Sequence, residues 1–231
     1  MFSVYRKRIR LLPGMFLLIT LGVFAGCASR PHGAMSEEAA AGEIDVKAEA
    51  YLFDARLHRN GKMNTFRLEV FQTDSVLGLG GRGYLGKGIL KGRMTRDSLE
   101  AYFPTANEWV YASIGELLES TDCPVTVPNL NLISFFVTLP DSVELPSDIV
   151  VESDYGDPDR PTFSLHMNKC PWEIQIIYDR RDTGWRIREF YFTDGESNDL
   201  RAKRREYRAD ATVGSDKFTV SIPPDARRII P

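Results

Sequence analysis

The strongest constraint on the fold is an alternation of apolar and polar side chains that recurs through most of the chain. In MNTFRLEVFQTDS, Phe66, Leu68 and Val70 alternate with charged residues, which places the three apolar side chains on one face of a β-strand. The dipeptide Asn60-Gly61, typical of tight hairpin turns, separates this segment from KAEAYLFDARLHR. The two segments therefore predict an antiparallel hairpin.

Similar segments follow on both sides of a different central region. Strands are predicted at 88–96, 99–103 and 108–112, and in PTFSLHM, WEIQIIYDRR, WRIREFYF, DLRAKRREYRADATV and KFTVSIP. The apolar stretches 114–119 and 130–137 lack clean alternation and predict short helices, whereas the acidic, proline-rich segment 140–161 predicts a loop. The pattern predicts a mainly β (α+β) domain, a curved antiparallel sheet with short helices on one face.

Composition permits such a domain and excludes several functions. The chain has 231 residues, 43% hydrophobic and 26% charged, which suits one large domain and excludes disorder and a multi-span membrane protein. Acidic residues (32) outnumber basic ones (29), so nucleic acid is not an expected partner. His32, His58 and His166 have no ligand spacing to a cysteine, so no metal site is predicted.

The first 26 residues have the organisation of an export signal. A cationic start with Arg6, Lys7, Arg8 and Arg10 precedes an apolar run of about fifteen residues, Leu11–Ala25. A membrane-spanning helix needs roughly 20 apolar residues, so the run favours the hydrophobic region of a signal peptide.

The end of this segment, Phe24-Ala25-Gly26-Cys27, resembles the lipobox of bacterial lipoproteins. The resemblance implies that Cys27 is the new N-terminus and carries acyl chains such as palmitate, which anchor the protein. An ordinary secretory leader with a chance cysteine is the alternative. Ala28, in place of a retention-signalling Asp, favours the outer membrane, with the protein on its periplasmic side. Residues 27–42 then form a flexible tether, and 43–231 form the domain.

The two remaining cysteines, Cys123 and Cys170, belong to a chain predicted to be exported. Exported proteins form disulfides readily, so a bond between the two is predicted. Two unpaired buried thiols are the alternative.

A glycine-rich segment, 78–83, satisfies the pattern G-x-G-x-x-G of dinucleotide-binding proteins. That site also needs a helix after the glycines, and two more glycines follow instead, so no cofactor is predicted. The segment predicts a mobile loop between strands. Its apolar side chains, Leu77, Leu79, Tyr84 and Leu85, either touch a membrane or a lipid, or fold back on the core.

Two charged segments allow further interpretations. The loop ESDYGDPDR is rich in oxygen ligands, but it has no calcium-binding spacing, which favours a solvated acidic loop. The late basic run contains Arg201, Lys203, Arg204, Arg205 and Arg208. These side chains either meet anionic lipid headgroups or belong to a solvated face of the sheet.

No catalytic motif is present: the sequence contains no G-x-S-x-G, H-E-x-x-H or S-x-x-K. We therefore expect a non-enzymatic protein.

The order of elements, the segment GRMTRDSLEAYFPTANEWVY and the ending FTVSIPPDA resemble the LolA/LolB superfamily of periplasmic lipoprotein-handling proteins. The resemblance covers about residues 44–229. It implies an incomplete, half-open antiparallel barrel whose concave apolar face is covered by helices and binds acyl chains or lipid. The side chains that would line this face are Phe66, Leu68, Val70, Trp109, Phe135, Phe136, Ile176, Ile187, Phe190 and Phe192.

Two functions follow as hypotheses. The first is a membrane-anchored lipoprotein that binds a lipid or a lipoprotein acyl chain in its concave sheet, in outer-membrane lipid or lipoprotein handling. The second is a scaffolding lipoprotein with a filled core, whose partner is another protein of the cell envelope. A cavity wide enough for an acyl chain would favour the first hypothesis.

Overall fold

The computed structural model describes residues 45–231, apart from Asn60, Thr183 and Ser197. The described residues form one curved sheet of twelve strands in the order β12-β6-β5-β4-β3-β2-β1-β11-β10-β9-β8-β7. The strands are β1 (Asp45–Arg59), β2 (Lys62–Gln72), β3 (Leu77–Arg82), β4 (Gly88–Met94), β5 (Ser98–Phe103), β6 (Glu108–Ser113), β7 (Ile149–Asp154), β8 (Thr162–Met167), β9 (Glu173–Arg181), β10 (Gly184–Thr193), β11 (Asn198–Gly214) and β12 (Arg227–Arg228).

The sheet consists of two meanders joined through their longest strands. β1 pairs with β11 from Asp45 opposite Gly214 to Arg59 opposite Asn198, which connects β1–β6 to β7–β11. All neighbouring strands are antiparallel except β12 and β6, which are parallel. Because β12 and β7 lie at opposite edges, the sheet is not closed into a barrel. The mainly β prediction is confirmed.

The predicted first hairpin is present. Arg59 of β1 lies opposite Lys62 of β2, and Gly61 between them has a φ of 74°, a conformation that costs glycine little because it has no Cβ atom. The alternation in β2 continues across the pair, so Phe66 and Leu68 lie opposite Ala55 and Phe53.

Helices are few in the described part of the chain. The α-helix α1 spans Ile114–Glu119, and 3-10 turns span Tyr84–Gly86, Ser134–Phe136, Pro140–Ser142 and Ser215–Phe218. The predicted helix at 130–137 is thus reduced to a single 3-10 turn. None of the helices in 45–231 has the length and apolar character that crossing a membrane requires.

The core lies on one face of the sheet, which we call the inner face. Alternate side chains of β1, from Tyr51 to Leu57, are almost fully buried there. Most of the described buried apolar residues form one continuous cluster from Tyr51 to Ala202, to which the segment 114–139 contributes. Because residues 45–231 contain a core of their own, we expect this part of the chain to fold by itself.

Three segments differ from their predicted structure. β7 (Ile149–Asp154) is a strand inside the predicted acidic loop, because its backbone pairs with β8 despite its polar end. The predicted glycine loop is largely the strand β3, which pairs with β2 and β4. The predicted strand KFTVSIP begins in a 3-10 turn instead, and the Lys217 carbonyl packs so close to Gly78 that a Cβ atom there would lie 2.1 Å from its oxygen.

Candidate apolar binding site

The inner face encloses a cavity of about 210 Å³ whose lining side chains are all apolar, here called the apolar pocket. Strands of both meanders contribute to it. An apolar cavity of about 150 Å³ is large enough for benzene and stays dry, so the apolar pocket suits a hydrocarbon group. The strand side chains that line it are Leu68, Leu79, Leu90, Met94, Leu99, Ala101, Phe103, Ile174, Phe190, Phe192 and Leu200.

Small residues help to create this space. Gly92 lies between Leu79 and Ala101 across three strands, and a Cβ atom on Gly92 would lie 3.3 Å from the Leu79 Cβ atom. A Cβ atom on Gly81 would lie only 2.8 Å from that of Leu90. The two glycines therefore let the leucines approach the sheet backbone, and a larger residue at either position would displace them.

The helix α1 supplies another part of the lining. Its start is fixed by a capping box, in which the Ser113 hydroxyl accepts the Glu116 amide (3.1 Å) and the Glu116 carboxylate accepts the Ser113 amide (2.7 Å). The Ser113 backbone and hydroxyl hydrogen bonds lower the pKa of the Glu116 carboxyl. This orientation directs Ile114, Leu117 and Leu118 to the pocket.

The segment after α1 holds the helix in place. The Gly115 amide donates to the Asn129 side chain (2.9 Å), and the Val127 amide donates to the Glu119 carboxylate (2.8 Å). A Cβ atom on Gly115 would lie 2.4 Å from the Val127 carbonyl oxygen, so only glycine permits this close approach. Leu132, further along the segment, completes the lining.

One tyrosine of the sheet donates a hydrogen bond to the turn at 134–136, and a second lies beside that turn. The Tyr178 hydroxyl of β9 donates to the Phe135 carbonyl (2.8 Å), and the Tyr51 hydroxyl of β1 lies 3.5 Å from the Phe136 carbonyl. Burial is the main cause that raises the pKa of both tyrosines far above the usual range. Both hydroxyls thus stay protonated and able to donate at all physiological pH values.

Beyond the apolar pocket, β1 and β9–β11 carry a group of mostly buried polar residues, here called the polar cluster. Arg186 donates to the Glu49 carboxylate (2.5 Å) and to the Tyr207 hydroxyl (3.1 Å). Burial lowers the pKa of Arg186, but its hydrogen bonds to Glu49 and Tyr207 raise it by more. The Glu49 carboxylate also accepts the Tyr51 hydroxyl (2.7 Å), which links the cluster to the turn at 134–136.

The second half of the polar cluster is centred on Asp179. One of its oxygens accepts hydrogen bonds from Arg204 (2.5 Å) and Arg181 (3.0 Å). The Arg204 side chain is only 4% exposed, and its guanidinium also lies over the Tyr207 ring, 5.6 Å from the centroid. The other oxygen of Asp179 is buried without a hydrogen-bond partner among the described residues. The negative charge of Asp179 is therefore compensated mainly at one of its two carboxylate oxygens.

Three of the ten residues predicted to bind lipid meet in the apolar pocket: Leu68, Phe190 and Phe192. The others lie elsewhere. Phe66, Val70, Phe135, Ile176 and Ile187 are buried in the surrounding core, and Phe136 packs edge-on against Tyr51 at its margin.

Trp109 does not reach the inner face. Its neighbours Glu108 and Val110 are buried on that face, and the alternation of β6 turns Trp109 to the opposite side. There Arg228 of β12 lies over its ring, 5.3 Å from the centroid. The resemblance implied that Trp109 lines the concave face; in the structure its side chain instead supports the edge pairing of β6 with β12.

The predicted membrane-contact loop is divided by the structure. Leu77 is almost fully buried in β3, and Leu79 lines the apolar pocket, because the predicted loop is largely a strand whose alternate side chains face the core. Leu85 is 89% exposed in the β3–β4 connection, with a φ of 60°. The side chain of Tyr84 lies outside the described part of the structure.

The remaining lining residues were missed by the sequence analysis. Leu90 and Met94 flank Gly92 with the same two-residue period, and Leu99, Ala101 and Phe103 repeat it in β5. This alternation could have identified them. Leu117, Leu118 and Leu132 could not be assigned in this way, because only the tertiary structure brings them to the sheet.

The disulfide predicted from composition is present: Cys123 is bonded to Cys170. It ties the segment after α1 to the turn between β8 and β9. It therefore fixes part of the pocket lining relative to the second meander. The predicted lipidation site, Cys27, lies outside the described residues.

Comparisons with known proteins give structural matches alone. No protein-family profile and no curated protein matches the sequence. Similar solved structures include a LolA superfamily protein from Nitrosomonas europaea, with 9% identity and a TM-score of 0.36 over 75% of this chain and 90% of that one. A DUF1329 family protein from Desulfovibrio piger has 10% identity and a TM-score of 0.40 over 78% and 91%.

A third similar structure is a domain from Vibrio parahaemolyticus described as an outer membrane lipoprotein-sorting protein. It has 8% identity and a TM-score of 0.33 over 70% of this chain and 84% of that one.

Proposed function

We propose that this chain is a lipid-anchored protein of the cell envelope that binds the end of an acyl chain, from a lipid or a lipoprotein, in the apolar pocket. The observation that carries the proposal is the lining itself, fifteen side chains without a polar group. Such a lining gives no partner to a headgroup, so the headgroup remains outside and only hydrocarbon enters. No reaction is part of the proposal.

Chain length tests this proposal directly. Each methylene removed from water contributes about 0.8 kcal/mol, or about a fourfold gain in affinity. Binding of fatty acids from hexanoate to palmitate to residues 43–231, measured by displacement of a fluorescent fatty-acid probe, should strengthen by about this factor per methylene and then level off. The plateau marks the length at which the pocket is filled.

Two matched leucine variants separate binding from folding. Leu117 and Leu165 are both almost fully buried, but only Leu117 lines the apolar pocket. Leu117→Ala and Leu165→Ala should each lower the free energy of unfolding by about 2–5 kcal/mol. Only Leu117→Ala, which enlarges the pocket, should move the plateau to longer fatty acids, whereas equal shifts in both variants would mean that binding merely follows stability.

A scaffolding protein is the second candidate, and one observation favours it. The volume of about 210 Å³ is below the roughly 300–1,000 Å³ of ordinary ligand pockets, as expected for a core that is nearly filled. If no fatty acid of any length shows saturable binding to residues 43–231, this candidate replaces the first. The partner would then be another envelope protein.

The anchor is proposed from the sequence resemblance at Cys27, with the outer membrane as its location. Several acyl chains on one cysteine give a lasting attachment. The Cys27→Ser variant of the full chain should therefore appear in the soluble fraction after cell lysis, while the unaltered chain sediments with membranes. Retention of the variant in membranes through an uncleaved leader would contradict lipidation.

Among the described side chains of the predicted membrane-contact loop, Leu85 is available for such a contact, since it is 89% exposed. We include its contact with lipid in the proposal. The Leu85→Ser variant should bind vesicles more weakly without a change in unfolding temperature.

A further inference from the structure

The outer face of the sheet carries two pairs of arginines that lie directly opposite each other on neighbouring strands. Arg56 of β1 is paired in register with Arg201 of β11, and Arg67 of β2 with Arg82 of β3. Like charges in such positions destabilise a sheet. The arrangement is also unexpected in a chain whose acidic residues outnumber its basic ones.

Only one arginine of each pair has a carboxylate partner among the described residues. Arg201 binds Glu189 (2.8 Å), and Arg82 lies 3.5 Å from Glu69. Within the described chain, Arg56 and Arg67 have no carboxylate oxygen within 4.0 Å, although Asp54 is opposite Arg67 in register. Both are exposed, so two guanidinium groups remain free for a ligand.

The two free arginines are neighbours. Arg56 lies opposite Thr65, two residues from Arg67 along β2, and diagonal positions of this kind are about 7–8 Å apart. Both arginines, with Arg82, line a groove of about 740 Å³ that is bounded at one end by the β3–β4 connection with Leu85. Asp54 and Glu69 also line the groove, so its excess of positive charge comes from the arginines.

From this geometry we infer that the groove binds the phosphate of an anionic lipid headgroup at a membrane surface. The guanidinium fork matches the geometry of a phosphate better than an ammonium group does, and two arginines at diagonal positions can reach one phosphate. The groove is open along the outer face of the sheet, opposite to the apolar pocket. The headgroup of a membrane lipid and the acyl chain of the proposed function are therefore bound on different faces.

The sequence before the sheet is long enough for this contact. Seventeen residues lie between Cys27 and Asp45, and a fully extended chain from one to the other spans about 60 Å. The strand β1, with 15 residues, is about 50 Å long. A chain anchored at Cys27, which is the part of this inference that rests on the proposed function, can therefore lay the outer face on the membrane.

Vesicle flotation tests the inference without the anchor. Residues 43–231 should float with vesicles of phosphatidylglycerol and phosphatidylcholine and remain unbound to phosphatidylcholine alone. Each basic residue near an anionic membrane surface contributes about 1 kcal/mol, or about a fivefold change in affinity. The variant Arg56→Gln/Arg67→Gln should therefore bind the anionic vesicles roughly thirtyfold more weakly, with an unchanged or higher unfolding temperature because a like-charge contact in each pair is relieved.

The matched control is Arg96→Gln/Arg160→Gln, which removes the same charge from two exposed arginines outside the groove. It should bind nearly as well as the unaltered domain, and an equal loss would reduce the effect to net charge and overturn the inference. Complete release from vesicles by a few millimolar inorganic phosphate would assign the groove to free phosphate and overturn its assignment to a membrane. The same holds if the unaltered domain does not float. Fatty-acid binding is measured in a separate experiment. If the domain binds no fatty acid, the vesicle flotation still tests whether the groove binds anionic lipid.

Discussion

Lys203 and Arg204 are adjacent in β11, and each binds a carboxylate on the opposite side of the sheet from the other. Lys203 is 60% exposed and lies 3.2 Å from Glu189 on the outer face. Arg204 is 4% exposed and lies 2.5 Å from Asp179 in the polar cluster. The two pairs combine the same kinds of charge, but only one of them is withdrawn from water.

The difference teaches that burial, rather than the number of ion pairs, decides what such a contact contributes. An exposed pair gains little, because water already solvates both charges well. A buried pair costs much to desolvate, so removing one partner leaves the other charge uncompensated. We therefore expect the two faces of β11 to respond very differently to the same substitution.

The largest effect is expected for Arg204→Met. It leaves the Asp179 carboxylate buried without its shortest partner, and the free energy of unfolding should fall by about 3–5 kcal/mol. Urea denaturation measures the change. Arg181→Met is the matched control, because Arg181 binds the same oxygen of Asp179 but is 48% exposed. A loss in the control as large as in Arg204→Met would mean that burial is not the deciding factor.

A smaller effect is expected when both buried charges are removed. Replacing a buried ion pair by apolar residues is often neutral or stabilising, so Arg204→Met/Asp179→Leu should recover most of the stability lost in Arg204→Met. The same urea denaturation applies. If the double variant is no more stable than the single one, Arg204 acts through its contacts with Tyr207 and the Ile187 carbonyl rather than through charge compensation.

The outer pair should respond least to a neutral substitution. Lys203→Met removes one of two cations that bind Glu189, and Arg201 remains at 2.8 Å. The expected loss is below about 1 kcal/mol and should decrease further in 0.5 M salt, since exposed charges are screened. If Lys203→Met lowers the free energy of unfolding as much as Arg204→Met does, the exposed and the buried ion pairs do not differ in the way proposed.

The smallest expected effect is on the pH dependence of stability, through the Glu189 carboxyl group. Burial raises the pKa of Glu189, but Arg201 and Lys203 lower it by more, so the net shift is downward. A lowered carboxyl pKa stabilises the fold above the unfolded value of about 4.3, and this contribution is lost as the pH falls through the folded value. Glu189→Gln should therefore flatten the stability curve below about pH 5 by a few tenths of a kcal/mol. An unchanged curve would show that another acid dominates.

The sequence was sufficient for the strands whose alternation is regular and whose turns carry glycine. β1 and β2 are examples, because Asn60-Gly61 fixes the turn and the apolar period fixes the face. β3 was predicted wrongly for a physical reason: its glycines indicate a loop locally, yet Gly78 is required by its close contact with the 3-10 turn at 215–218 and Gly81 by its close contact with β4. A local pattern contains no information about such contacts.

The candidate site also contains residues that a local pattern predicts and residues that only distant contacts bring together. Leu68, Phe190 and Phe192 could be predicted because they belong to alternating strands. The polar cluster could not be predicted, since Glu49 and Arg186 are 137 residues apart and neither shows a distinctive spacing. Only the pairing of β1 with β11, and of β11 with β10, brings such residues together.

That pairing also has a consequence for how the chain folds. The two meanders are built from contacts between neighbours in sequence, but β1 needs β11, about 150 residues later, as its second partner. Contacts of this separation slow folding, because a long loop must be ordered before they form. During synthesis, β1 therefore emerges first and keeps an unpaired edge until almost the whole domain has followed. Over that interval the apolar face and the free edge of the first meander are exposed, so we expect aggregation to compete with folding until β11 pairs with β1.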